Sequence, residues 1–341
     1  MKTTGILFGA VIAFLLTFAM LFTAGWTAPP IISTQWGFRG TGMDQLTTPA
    51  VQKALKAANV LPDAIDPASP DGDKATAVYQ NVQVLTDLSA DQFNRVMLGL
   101  GAWVGGEQGC AYCHNPDNMA DDSMYAKKVA RRMLQMTRHI NADWQAHVGV
   151  TGVTCYTCHR GQPVPLYIWH NDPGPAQAAG FAATNDGFGH PNKTNGSTSL
   201  TGDPFTPLLE GKETIRVQAT QALPAGYGAS IQSTERTYSL MIAMSKSLGV
   251  NCTFCHNTRE FGQWAESTPQ RVTAWHGLQM VRELNTAYLD PLKSVFPEAR
   301  LGPEGDAPKL YCATCHQGAN KPLLGVSLAK DWPELGGVVA K

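Results

Sequence analysis

Four copies of one five-residue pattern constrain this 341-residue chain more than any other feature of it. Cys110-Ala111-Tyr112-Cys113-His114, Cys155-Tyr156-Thr157-Cys158-His159, Cys252-Thr253-Phe254-Cys255-His256 and Cys312-Ala313-Thr314-Cys315-His316 all read C-x-x-C-H. That spacing is the attachment signature of a c-type haem. Two thiols so spaced reach both vinyl groups of one porphyrin, and the adjacent imidazole lies under the iron. The pattern predicts four covalently bound c-type haems. The eight cysteines form the thioether bonds, and His114, His159, His256 and His316 are the proximal ligands.

A zinc ribbon also uses C-x-x-C pairs, two per metal, and four pairs would make two ribbons. Nothing in a ribbon requires a histidine after each second cysteine, and here all four have one. All 8 cysteines sit inside motifs, which leaves none for a separate disulfide framework. A formal net charge of -1 excludes a polyanion binder and gives no reason to expect a nucleic-acid partner.

Haem attachment of this kind takes place outside the cytoplasm, so the chain must cross a membrane. After Lys2 an apolar run extends from Gly5 to about Trp26, and the next charged residue is Arg39. A run of roughly 20 apolar residues spans a bilayer as a helix. Lys2 holds the N-terminal end in the cytoplasm and directs the rest outward, with Trp26 and Trp36 suited to the far interface. The run exceeds the apolar core of a cleaved signal peptide, and no cysteine lies near residues 18–30 for acylation. The expectation is an uncleaved single-pass anchor over residues 1–26.

The remainder divides into an extended segment (27–87), a first haem pair (88–170), a connector (171–230), a second haem pair (231–325) and an irregular tail (326–341). The extended segment should hold one short helix near Val51–Ala58. Ser89 followed by Gln92 is a capping-box pattern, and Phe93, Val96, Met97 and Leu100 then share one helical face. A second helix carries Val129, Met133, Met136 and Ile140, with Asp121-Asp122 at its N-terminal end. The connector is rich in Pro, Gly, Asn, Thr and Ser and reads as a loop excursion. A third helix begins near Ser233, carries Met241, Met244 and Leu248, and ends at Gly249. A fourth begins at Thr268-Pro269 and runs to about Leu289. The fold class is mainly α with long irregular segments.

The units repeat. Cys-x-x-Cys-His-Asn at Cys110 matches the same run at Cys252, and Leu134-Gln135-Met136-Thr137-Arg138 matches Leu278-Gln279-Met280-Val281-Arg282. Two halves related by a pseudo-two-fold axis follow, each holding one haem pair. Each proximal histidine leaves one axial position, and a methionine on the helix before the motif can supply it. Candidates are Met97 for the first haem, Met133 or Met136 for the second, and Met241 or Met244 for the third. Aligning Asn94-Arg95-Val96-Met97 with Tyr238-Ser239-Leu240-Met241 favours Met241. The Leu-Gln-Met alignment sets Met133 opposite Gly277, so the fourth haem must find its ligand elsewhere: His139, His147 or His170.

These motifs, the methionine-bearing helices and runs such as Met136-Thr137-Arg138-His139-Ile140-Asn141 and Asn251-Cys252-Thr253-Phe254-Cys255-His256-Asn257 resemble the tetrahaem cytochrome subunit of the purple bacterial photosynthetic reaction centre, over residues from about 30 to 325. The resemblance implies three His/Met haems and one bis-His haem. By position, Met97, Met133 and Met241 serve the first three haems, and His147 serves the fourth opposite His316. It also implies that the haems form a chain rising from the periplasmic face of the photosynthetic inner membrane. The chain re-reduces the photo-oxidised bacteriochlorophyll special pair and is refilled by a small cytochrome c or a high-potential iron–sulfur protein. That is an electron carrier bound to the membrane subunits of a reaction centre, not an enzyme in its own right. Well-known members are anchored through an N-terminal lipidated cysteine, which this chain lacks. The alternative is a membrane-anchored tetrahaem quinol dehydrogenase, but such chains are much shorter, with closely spaced motifs and mostly histidine ligands. A peroxidase would need a five-coordinate haem and a distal acid–base pair, for which no motif is present.

Overall fold

The N-terminal apolar run forms helix α1 (Lys2–Thr23). The stretch Gly5–Thr23 has mean hydropathy 2.5 with none of it buried, the one helix among the described residues long and apolar enough to cross a membrane. The computed structural model describes residues 2–23, 30–36, 43–171, 200–217 and 230–336. Trp26, the connector stretches 172–199 and 218–229, and residues 337–341 lie outside the described residues.

The rest of the described chain is mainly helical. Strands β1 (Ile32–Thr34) and β2 (Gln45–Thr47) pair antiparallel, with Ser33 opposite Leu46. Helix α2 (Pro49–Ala58) starts where Thr48 Oγ1 accepts from the Val51 amide, with Pro49 in the first turn, where a missing N–H costs nothing. A single turn, α3 (Ala75–Val78), leads to α4 (Ala90–Trp103). The capping box forms as the sequence predicts: the Gln92 amide donates to Ser89 Oγ, and Ser89 N–H donates to Gln92 Oε1. Ser89 Oγ also donates to Ser69 O at 2.6 Å, tying the extended segment to the helix start. Val96 is buried, and Phe93, Met97 and Leu100 pack beside it.

Helix α5 (Tyr125–Asp143) begins later than expected, and neither Asp121 nor Asp122 lies in its first turn. Asp122 instead accepts a two-pronged contact from Arg131 and an ion pair from Lys127 at 3.2 Å. Two guanidinium–carboxylate bonds outweigh a dipole interaction that is worth only a fraction of a kcal/mol at an exposed end. The Arg131 contact holds the Asp122 carboxyl well below the usual carboxylate range. A depressed acid stabilises the fold above its unfolded-state pKa of about 4 and loses that contribution as pH falls through its folded value. Asp122→Asn is therefore expected to lower stability at neutral pH and leave it unchanged in strong acid, measured by urea unfolding across the range.

The next helices are short: α6 (Gln145–Val148) and α7 (Cys155–His159). Helix α8 (Ile231–Leu248) is capped by Ser230 and ends at Gly249, whose φ of +65° is left-handed. An added Cβ there would strike the Gly318 carbonyl, so both conformation and space require glycine. Helix α9 (Pro269–Glu283) starts at Thr268-Pro269 as predicted and continues as one π-type turn, Leu284–Leu289. Helix α10 (Cys312–His316) carries the fourth motif.

Two hydrophobic cores form. The smaller joins Leu88, Val96, Trp103, Leu134 and Cys155 to Trp332 and Leu335 of the tail. The larger gathers α8, α9 and the π-type turn around Leu240, Leu278, Val281 and Leu284. Two segments expected to lie outside the core belong to it. Within the connector, Leu208 and Leu209 on the turn Thr206–Glu210 are 1% and 0% exposed, and the Leu208 carbonyl accepts from Arg282 Nε at 2.7 Å. Burying such a pair is worth roughly 3–6 kcal/mol, and Pro207 sits in the first turn, where a missing N–H costs little. The described part of the tail forms two 3-10 turns, Ala329–Asp331 and Pro333–Leu335, and Arg95 clamps it: Nη1 lies 2.8 Å from Glu334 Oε2, and the guanidinium stacks 3.8 Å from the Trp332 ring centre.

Candidate haem sites

The four motifs adopt two local geometries, and these alternate along the chain. Motifs two and four each form a short helix. Thr157 Oγ1 accepts from Thr154 N, and Thr314 Oγ1 accepts from Tyr311 N, both at 3.0 Å. After the histidine, Arg160 and Gln317 both take left-handed φ, followed by Gly161 and Gly318. Motifs one and three instead form 3-10 turns, Gly106–Tyr112 and Cys252–Phe254. The sequence repeat thus reappears as backbone.

Each motif histidine has the same partner on one ring nitrogen. Nδ1–H of His114 donates to Met119 O at 2.9 Å, and that of His256 to Phe261 O at 3.2 Å, in both cases five residues on. Nδ1–H of His159 donates to Gln162 O at 3.0 Å, and that of His316 to Ala319 O at 2.9 Å, three residues on. Pinning Nδ1–H to a carbonyl fixes the tautomer, orients the ring and leaves Nε2 as the metal-binding lone pair. Burial holds His159 and His256 below the usual imidazole range and pushes His316 down to about 4, so these rings are neutral at pH 7.

The three histidines considered for the fourth distal position have different surroundings, and His170 Nε2 is buried without a hydrogen-bond partner. His147, on α6, has its Nδ1 2.9 Å from Thr273 O of α9, and burial likewise lowers its pKa. Its ring centre lies 6.1 Å from that of His316. Two imidazoles on opposite sides of one ion, with metal–nitrogen bonds of about 2 Å, have ring centres about 6 Å apart. The pair therefore fits one bis-imidazole iron. His139 has both nitrogens engaged, Nδ1 with Asp143 at 2.7 Å and Nε2 with Glu283 at 3.0 Å. His170 packs against Gly302.

Met97 is half-buried beside the smaller core. Met133 and Met136 both pack against the larger core, as do Met241 and Met244, so packing gives neither member of a pair a distinct position. Sequence reasoning missed the backbone carbonyls that orient the histidines. It also missed Thr157 and Thr314, although the shared Thr-Cys-His run was there to be seen. Motif four is braced further: Thr314 Oγ1 donates to Tyr167 O at 2.6 Å, and Trp169 and Lys309 exchange backbone hydrogen bonds.

Motifs two and four stand side by side. Cys158 of the second motif and Cys315 of the fourth are joined, with Cα atoms 4.4 Å apart; no cysteine outside the motifs is involved. Motif spacing carries no hint of this contact, because the partners come from different motifs. Each sulfur can hold a vinyl carbon or the other sulfur, so haem attachment at both requires this bond open. Burial also pushes the thiols of Cys113 and Cys255 up to about 11, and those of Cys155 and Cys312 to about 12. Such thiols carry almost no thiolate, the reactive form. Chain produced without haem is expected to yield a Cys158–Cys315 cross-linked peptide on mass spectrometry. Haem-loaded chain should yield none.

A family model described as the photosynthetic reaction centre cytochrome c subunit matches residues 27–336. Photosynthetic reaction center cytochrome c subunits of three bacteria are similar along most of their length. That of Thermochromatium tepidum is 46% identical over 317 residues, covering 93% of this chain and 78% of its own. That of Rubrivivax gelatinosus is 47% identical over 318 residues, covering 93% and 87%. That of Roseobacter denitrificans is 42% identical over 324 residues, covering 89% and 85%.

Proposed function

The chain belongs to the photosynthetic reaction centre cytochrome c subunits, and from that premise we propose that it carries electrons through four covalently bound haems to the special pair. Its role as an electron-transfer subunit, not an enzyme, goes with the family; the haem count, ligands and donor are our reading. When bound, haem supplies reversible one-electron exchange at iron without making or breaking a substrate bond.

The observation that carries the reading is the common backbone partner of all four motif histidines. It orients four imidazoles and leaves Nε2 of each as the metal-binding nitrogen. Met97, Met133 and Met241 would complete three sites. A thioether favours reduced iron and so raises potential, whereas His147 opposite His316 would hold the fourth site lower. The two motif geometries support two pseudo-two-fold-related halves.

Helix α1 supports a single-pass anchor, with the haem body on the periplasmic face. The hairpin that follows reaches the third motif: Thr253 Oγ1 donates to Met43 O at 3.3 Å, and Trp36 packs edge-on against Phe254 at 5.2 Å. Ile32 begins nine residues after Thr23, a reach of roughly 30 Å at most. Motif three is thus the one held near the membrane and the natural exit to the bacteriochlorophyll-bearing subunits. A small cytochrome c or a high-potential iron–sulfur protein would refill the chain at the far end.

Low-temperature EPR with a redox titration on membranes, before and after a flash, tests this. The expected result is three His/Met low-spin signals, one bis-His signal, and haem oxidation after the flash. Four bis-His signals, or reduction driven by quinol with no flash response, would overturn it.

A further inference from the structure

We propose that Gly277 selects the axial ligand of the fourth haem, by leaving on α9 the gap into which the His147 imidazole from the other half is seated. The proposal rests on the reading of His147 and His316 as that haem's ligands.

Gly277 sits in the interior of α9, where glycine is disfavoured relative to alanine. Its φ is not in the left-handed region, so no turn demands it. Space does. A Cβ added at Gly277 would lie 2.5 Å from His147 Cε1, 2.8 Å from Nδ1 and 3.1 Å from Nε2. The imidazole therefore lies directly on the helix backbone. One turn earlier on the same stripe, Thr273 O accepts from His147 Nδ1–H at 2.9 Å. A carbonyl and a missing side chain, one turn apart, form a cradle that fixes both the position and the tautomer of the ring.

The repeat gives this cradle its meaning. With Leu134-Gln135-Met136 laid on Leu278-Gln279-Met280, Gly277 occupies the register of Met133. In α5 that register carries a thioether. In α9 it carries nothing, and a histidine from the first half enters instead. One position on the two equivalent helices thus decides between a His/Met and a bis-His site, and with it between a higher and a lower potential. Gly277 is a positioning residue: it touches the ligand, not the iron.

The test uses the full-length, haem-loaded protein in membranes and reads spectra and potentials, not turnover. In wild type, EPR should show one bis-imidazole signal; its absence would remove the ligand reading itself and leave Gly277 without a role. Given that signal, Gly277→Met is expected to abolish it, add a fourth His/Met signal and raise the lowest midpoint potential. Gly277→Ala, a milder intrusion, should convert part of the bis-imidazole population to high spin. The double variant His147→Gly with Gly277→Met relieves the clash and should load fully with four His/Met haems. A bis-imidazole signal and lowest potential unchanged in Gly277→Ala and Gly277→Met would overturn the proposal. If Gly277→Met fails to take up haem, the alanine and double variants decide it in the same way.

Discussion

His147→Ala is expected to remove the single bis-imidazole EPR signal, leave a high-spin haem, and raise the lowest of the four midpoint potentials. The rise should be roughly 0.1–0.2 V, a fraction of the about 0.8 V that axial ligation spans across haem proteins. The rings of His147 and His316 stand 6.1 Å apart, and a carbonyl pins the Nδ1 of each. Alanine removes one imidazole and leaves its cradle on α9 intact, so free imidazole added to the variant should restore the low-spin signal. His139→Ala is the control. Both its nitrogens are held by carboxylates, so it should leave all four signals in place. A bis-imidazole signal lost with His139 and kept without His147 would reverse the assignment.

Arg95→Ala is expected to cost about 3–5 kcal/mol, the usual penalty for stranding one member of a buried ion pair. The side chains of Arg95 and Glu334 are 4% and 1% exposed. Arg95 also donates to the carbonyls of Asp66, Ile65 and Asp331, and so ties the extended segment, α4 and the tail at one point. Alanine leaves the Glu334 carboxylate buried without its cation and three carbonyls without a donor. Urea unfolding of the haem-loaded protein, followed by near-UV circular dichroism, should show the loss. Arg95→Met combined with Glu334→Leu should recover much of it, because it removes both charges together. Equal losses in the single and double variants would show that the carbonyl contacts, not the ion pair, dominate.

What could be read in advance was what local chemistry dictates. The motifs, the Ser89–Gln92 capping box, the Thr268-Pro269 start and the glycine stop at Gly249 each depend on neighbours within a few residues. The chain folds there as the sequence predicts. Expectations failed where distant contacts won. Asp122 left the helix end for Arg131 nine residues on. Leu208 and Leu209 lie among prolines that read as a loop, and only α9, more than sixty residues later, makes them core. The pairing of Cys158 with Cys315 depends on two motifs meeting in space, which no spacing encodes. The choice among His139, His147 and His170 was open for the same reason. The groups that meet each ring come from elsewhere in the fold, as Thr273 does for His147 and Glu283 for His139.

The tail clamp also bears on the timing of biogenesis. The core that buries Cys155 is closed by Trp332 and Leu335, far later in the chain. A chain threaded from its N-terminal end therefore cannot complete that core until those two residues have followed. Until then the Cys155 thiol stays open to solvent and to the attachment machinery, and afterwards it is buried. A chain truncated before Trp332 is expected to keep Cys155 alkylatable.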